Sequence, residues 1–224
     1  MRGTLRAVAA ALFAAGCGQP QTVSSPVGSA SSCAGCHTAP GEGPPFRDQT
    51  GATDPHRLTV GAHDAHLHGN LSSNVTCGDC HTVPRRVTDP GHMDTVPPAT
   101  VKFGGLALNG GADPRYVNQG CAATYCHGNF FGGNRTNTPA WLGDASAAAC
   151  TACHGLPPST GRHEKHVLDE GISCDQCHGP LFPATHVNGK VDVALAVWDP
   201  KYKTCQAMKC HGARSWPGPD DAGK

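Results

Sequence analysis

Thirteen cysteines and fourteen histidines stand in this chain of 224 residues, and their order constrains its fold more than any other feature. Twelve cysteines form six close pairs, and a histidine directly follows the second cysteine of each pair. Four pairs are spaced C-x-x-C-H: Cys33-Cys36-His37, Cys77-Cys80-His81, Cys150-Cys153-His154 and Cys174-Cys177-His178. Two are spaced C-x-x-x-x-C-H: Cys121-Cys126-His127 and Cys205-Cys210-His211. Cys17 stands apart. Zinc sites also use C-x-x-C pairs, but they do not need a histidine behind every second cysteine. A disulfide framework suits an exported, cysteine-rich chain, yet it leaves the six histidines unexplained. A redox dithiol is expected once, inside a βαβ pattern, and no such pattern is visible.

C-x-x-C-H is the attachment sequence of c-type haem. The two thiols add across the two vinyl groups of the porphyrin, and one helical turn brings both sulfurs to that edge. The histidine then meets the iron from the proximal side. Four intervening residues do the same with a small bulge. The six motifs therefore predict six covalently bound haems c, with His37, His81, His127, His154, His178 and His211 as proximal ligands.

Eight histidines remain, and six of them recur in register. The first half reads Cys33-Cys36, His63-x-x-His66, Cys77-Cys80, His92, Cys121-Cys126. The second reads Cys150-Cys153, His163-x-x-His166, Cys174-Cys177, His186, Cys205-Cys210. The order is the same, so the chain reads as an internal duplication. Three recurring histidines per three attachment motifs is the number that bis-histidine ligation requires. His63, His66, His92, His163, His166 and His186 are the expected distal ligands. Residues at i and i+3 share one face of a helix, so a single H-x-x-H turn can reach two rings. Order alone does not say which distal histidine meets which haem. His56 and His68 lack counterparts in the second half, and read either as surface residues or as ligands given to a neighbouring protomer. Methionine ligation raises haem potential. Beyond the leader only Met93 and Met208 are available, so low potentials are expected.

Composition fits a core supplied by cofactor. Leu, Ile, Val and Phe make up about 15% of the chain, against the roughly 20% below which a polypeptide core is hard to build. Gly and Pro number 29 and 19 and break long helices and strands. A large single core and a coiled coil are not expected. The expected fold is a mostly irregular multihaem cytochrome c with short helices, a few short strands and a stack of haems as its core. Two tandem three-haem units are expected at residues 33–127 and 150–212, with a linker at 128–149 and a loose tail at 213–224. A short helix is expected at Arg162–Gly171 and strands at Gly189–Trp198 and Ala99–Leu108, the last pairing with its counterpart or forming its own hairpin. Phe130, Phe131 and Trp141 of the linker either cover a haem edge or pack ordinarily. At about 30 residues per haem, folding should depend on cofactor insertion, as in small metallo-domains.

The N-terminus reads as an export signal: Arg2 and Arg6, then an apolar run from Ala7 to Ala15 too short to span a bilayer. It ends Ala14-Ala15-Gly16-Cys17, which resembles a bacterial lipoprotein cleavage site, with an ordinary signal peptide and an incidental cysteine as the alternative. Residues 1–16 are then the signal peptide and 17–32 a flexible tether carrying lipid on Cys17. Gly18, rather than Asp, behind that cysteine resembles outer-membrane sorting. Loss of Arg2 and Arg6 leaves a formal charge of −2 before haem propionates are counted. With no basic stripe, nucleic-acid binding is disfavoured.

The mixture of CxxCH and CxxxxCH motifs, with HxxH before the second and an H…V-x-V segment before the third, resembles the CxxxxCH/CxxCH-domain multihaem c-type cytochromes of metal-reducing, Geobacter-like bacteria. The resemblance covers residues 33–212. It implies an electron-transfer protein passing electrons among periplasmic and outer-membrane redox proteins toward extracellular acceptors such as metal oxides, and in some relatives assembly into filaments. The rival is a multihaem oxyanion reductase, which needs one haem with an open distal side, often marked by Lys in place of the attachment histidine. Here every motif ends in histidine.

Overall fold

A computed structural model describes residues 35–38, 42–180, 184–195, 198–199, 201–206 and 211–216. The expected signal peptide at 1–16, the expected tether with Cys17, and also Cys33, Met208, Cys210 and residues 217–224 lie outside the described residues.

Most of the backbone is irregular, as the glycine and proline content dictates. Among the described residues the buried apolar side chains are Val60, Ala107 and Ala112. Polar groups do much of the local ordering. Buried Asp48 accepts hydrogen bonds from the Thr50 hydroxyl, the Thr59 hydroxyl and the Ala52 N–H, fixing the loop that leads to Val60. Buried Asp79 accepts from Thr76 N–H and hydroxyl and from the Leu106 N–H, which ties an attachment turn to the 3₁₀ segment Gly105–Gly111. Gly105 sits at φ +43° with no room for a Cβ beside the Asp79 carboxylate.

Helices are single turns. Helix α1 spans His63–Leu67 and α2 spans Asp175–His178. The second-half counterpart of α1 is a π-helical turn, Glu164–Asp169, where the sequence predicts an ordinary helix over 162–171. It ends near Gly171 at φ +65°, a conformation without penalty for glycine.

Two small sheets carry the first cysteine of each CxxxxCH motif. Strands β1 (Arg115–Val117) and β2 (Gly120–Ala122) form a hairpin whose two turn residues, Asn118 and Gln119, both have positive φ. That is the turn geometry matching strand twist. Strands β3 (Trp198–Asp199), β4 (Thr204–Cys205) and β5 (Arg214–Ser215) form an antiparallel sheet in the order β3-β4-β5. The first sheet has a partial third member, since Gly120 bridges Ala140 and the Cys121 N–H donates to Pro139 O.

Three expectations need correction. Residues 99–108 contain no strand; irregular chain runs into the 3₁₀ segment because Gly104 and Gly105 interrupt the alternation. Of 189–198, residues 189–195 are irregular and, among the described residues, only Trp198 enters a strand. Residues 214–216 are not loose tail: Arg214 and Ser215 pair with Cys205 and Thr204, and the Trp216 N–H donates to Lys203 O.

Candidate functional site

Among the described residues, three of the attachment motifs occupy tight helical turns. Cys77–Asp79 is a 3₁₀ turn with Thr76 and Asp79 as a capping box, Tyr125–His127 is a 3₁₀ turn, and Cys177 and His178 lie on α2 with Cys174 at its N-cap. In each CxxxxCH motif the first cysteine lies on a strand, Cys121 in β2 and Cys205 in β4. The bulge after Cys121 is visible as Ala123 at φ +55°.

Each attachment histidine faces one of the six recurring histidines. The ring centres are 6.3 Å apart for His37 and His92, 6.2 Å for His63 and His81, and 6.0 Å for His66 and His127. In the second half they are 6.3 Å for His154 and His186, 6.0 Å for His163 and His178, and 6.2 Å for His166 and His211. The pairing is the same in both halves. The first histidine of H-x-x-H meets the second attachment site, the second meets the third, and the later histidine meets the first. A metal ion shared by two imidazole nitrogens at about 2.0 Å each would set the ring centres on the order of 6 Å apart. The six gaps fit a ligated haem iron.

The ring nitrogens agree. A histidine bound to metal through Nε2 normally donates its Nδ1–H to a fixed acceptor. Nδ1 of His63 lies 2.6 Å from Val60 O, that of His66 2.7 Å from Ala62 O and that of His163 2.7 Å from Thr160 O. Among the attachment histidines, Nδ1 of His81 lies 3.0 Å from Thr100 O and that of His127 2.9 Å from the Thr124 hydroxyl. His178 meets Asp192 O the same way. The segments that fail to form strands are the collars of these turns. Lys102 N–H donates to Cys80 O beside the Thr100 contact, and Ala194 N–H donates to Cys177 O beside the Asp192 contact. Burial holds His63 and His127 down to about 4, so both rings are neutral near pH 7 and their nitrogen lone pairs are available.

The two histidines without counterparts behave otherwise. His68 uses both ring nitrogens, Nδ1 at 2.8 Å from Asp64 Oδ1 and Nε2 at 2.8 Å from Glu42 O, so it has none left for a metal. Sequence order could not reveal this brace. His56 is exposed. Met93 is 72% exposed.

Neighbouring attachment sites adjoin. Burial, then the nearness of Cys121 and Cys126, pushes the Cys80 thiol up to about 12, and burial followed by Cys205 raises Cys177 in the matching place. Thiolate redox chemistry requires the opposite shift. Across the halves, Asn134 N–H donates to Cys153 O at 2.8 Å and Phe130 sits between Tyr125 and His154. His186 is braced by the first half: its Nδ1 lies 2.9 Å from Leu71 O, and the Asn74 amide donates to Ala184 O and His186 O. Of the linker aromatics, Trp141 packs on His63 and His66, whereas Phe131 is 55% exposed.

Residues 120–154 match the family described as the Geobacter CxxxxCH...CXXCH motif. The match runs from the strand carrying Cys121 to His154, through the third and fourth attachment motifs. This is a motif of multihaem c-type cytochromes, electron-transfer proteins in which such cysteines bind haem c covalently. No curated protein and no solved structure shows significant similarity to the chain.

Proposed function

We propose that the chain is a hexahaem electron carrier in which all six irons have two histidine ligands. The observation carrying this reading is the set of six histidine pairs, each joining one attachment histidine to one recurring histidine at 6.0–6.3 Å. The haem of Cys33 and Cys36 is assigned to His37 and His92, that of Cys77 and Cys80 to His81 and His63, and that of Cys121 and Cys126 to His127 and His66. The haem of Cys150 and Cys153 is assigned to His154 and His186, that of Cys174 and Cys177 to His178 and His163, and that of Cys205 and Cys210 to His211 and His166.

Haem supplies reversible one-electron chemistry. The chain supplies everything that tunes and orders it. Cysteine pairs would fix each ring edge, and Nδ1 acceptors fix most of the imidazoles, the latter a lever on haem potential. Occupation of both faces by histidine leaves no side for substrate, which favours a carrier over the oxyanion reductase. Each H-x-x-H turn links two haems, and the contact of Asn134 with Cys153 carries the series from one half to the other. Porphyrin surface takes the place of the apolar side chains the core lacks.

The further reading is an exported lipoprotein, acylated on Cys17 and held at the outer membrane, exchanging electrons with other redox proteins and extracellular acceptors, with homo-oligomers or filaments as an assembled form. The leader sequence and the resemblance support it. Among the described residues no helix is long and apolar enough to cross a membrane.

The test is the intact mass of protein matured in a host competent for haem c attachment. Six haem increments on the processed chain are expected, with diacylglycerol on Cys17 visible in the same spectrum. Colourless protein, or fewer than six increments, refutes the hexahaem reading.

A further inference from the structure

Trp141 and Trp216 occupy the same place in the two halves. The Trp141 indole lies edge-on to His63 (4.7 Å, 90°) and nearly parallel to His66 (6.0 Å, 25°). The Trp216 indole lies edge-on to His163 (5.1 Å, 79°) and nearly parallel to His166 (5.6 Å, 11°). Each indole thus fills the notch between the two histidines of one H-x-x-H turn.

Both tryptophans are held the same way. The Trp141 N–H donates to Gln119 O and the Trp216 N–H to Lys203 O, each acceptor being a turn residue at positive φ just before the strand that carries the first cysteine of a CxxxxCH motif. Glycines stand beneath both rings. A Cβ on Gly61 would fall on the Trp141 indole nitrogen, and one on Gly161 on that of Trp216. The Trp141 Nε1–H also donates to Leu58 O at 2.8 Å. Nothing in the spacing reveals the match, since Trp141 follows His127 by fourteen residues and Trp216 follows His211 by five.

We infer that Trp141 and Trp216 are positioning residues which set the imidazole planes of the two histidines on each H-x-x-H turn, and with them the electronic state of two irons per half. This rests on the bis-histidine reading. The repeat then runs past the third attachment motif to its tryptophan, so that 128–141 and 212–216 belong to the units rather than to a linker and a tail. The indole is rigid and broad, and it meets two rings that must stay nearly fixed for adjacent haems to keep their relative orientation.

The test uses full-length, haem-loaded protein and the variants Trp141→Ala, Trp141→Phe and Trp216→Ala. Intact mass first establishes six haems; wild-type protein without them defeats the haem reading and not this inference. Low-temperature electron paramagnetic resonance of the oxidised protein then reports imidazole orientation at each low-spin iron. Trp141→Ala is expected to move the g-values of one third of the integrated low-spin signal, Trp216→Ala another third, and the double variant two thirds. Trp141→Phe, which keeps a ring, is expected to move the same third by less. Alanine variants holding six haems with spectra superimposable on wild type overturn the inference, as do shifts spread over all six irons. If Trp141→Ala does not mature, Gly61→Ala displaces the indole while keeping it, and an unmoved spectrum there is equally fatal.

Discussion

Replacing His92 would isolate one proposed metal–ligand bond from nearly everything else. His92 sits on an irregular loop, its ring centre 6.3 Å from that of His37, and its Nδ1 contacts Val87 O at 3.0 Å. An alanine methyl cannot reach an iron held on His37, so the distal position opens. Met93 is the neighbouring side chain able to fill it, being 72% exposed and free to turn. The informative variant is therefore His92→Ala with Met93→Leu. Wild-type protein, reduced with dithionite and exposed to CO, is expected to form no rapid adduct. The double variant should take up one CO per six haems, a change in one sixth of the Soret absorbance. His186→Ala should behave alike in the second half, and the combination should take up two, because separate irons add independently. His92→Ala alone, if Met93 captures the iron, should instead raise one potential by an increment on the order of 0.1 V. Uptake of no CO by the double variant holding six haems would refute the assignment of His92, and uptake by several irons would refute the pairing scheme as a whole.

Asp48→Asn should cost about 2 kcal/mol, since a buried carboxylate accepting several hydrogen bonds is lost. Burial raises the Asp48 pKa, but hydrogen bonds from Thr50, Thr59 and Ala52 outweigh it and lower the net value, so its contribution is present above about pH 4 and fades as the pH falls through the folded pKa. Thermal unfolding of wild type and variant should converge in acid, and a constant difference across pH would contradict the assignment. His68 has the opposite sign, because its bond to Asp64 raises its pKa above 6.5. That contribution is complete below pH 6.5 and lost as the pH rises through the folded value, so His68→Ala should destabilise more at pH 6 than at alkaline pH in urea titrations. Gly105→Ala should cost about 1–3 kcal/mol by combining positive φ with displacement of the Asp79 carboxylate. Gly51→Ala, also at positive φ but with open space around it, is the milder control in the same melts.

The candidate ligands were legible because covalent attachment demands fixed spacing, and because duplication repeats the recurring histidines against a changing background. Their partners were not legible, since chain order does not encode which rings face each other. Val101-x-Phe103 and Val191-x-Val193 alternate like strands, yet Thr100 O and Lys102 N–H, and likewise Asp192 O and Ala194 N–H, are taken up by the turns at Cys80 and Cys177. The β1–β2 hairpin escaped notice because Gln119 is an unusual residue at positive φ, and Trp216 was hidden in a stretch whose glycine and proline read as disorder. His68 is set apart from His66 by its missing counterpart, but its role as a brace rests on the positions of Asp64 and Glu42, which spacing does not encode.

The strip Leu71–Asn74 grips His186 and its flanks from the opposite repeat. Head-to-tail copies often remain severable, each able to live alone. Here the later copy borrows part of its scaffolding from the earlier one, so cutting the gene at its midpoint would not release two working halves.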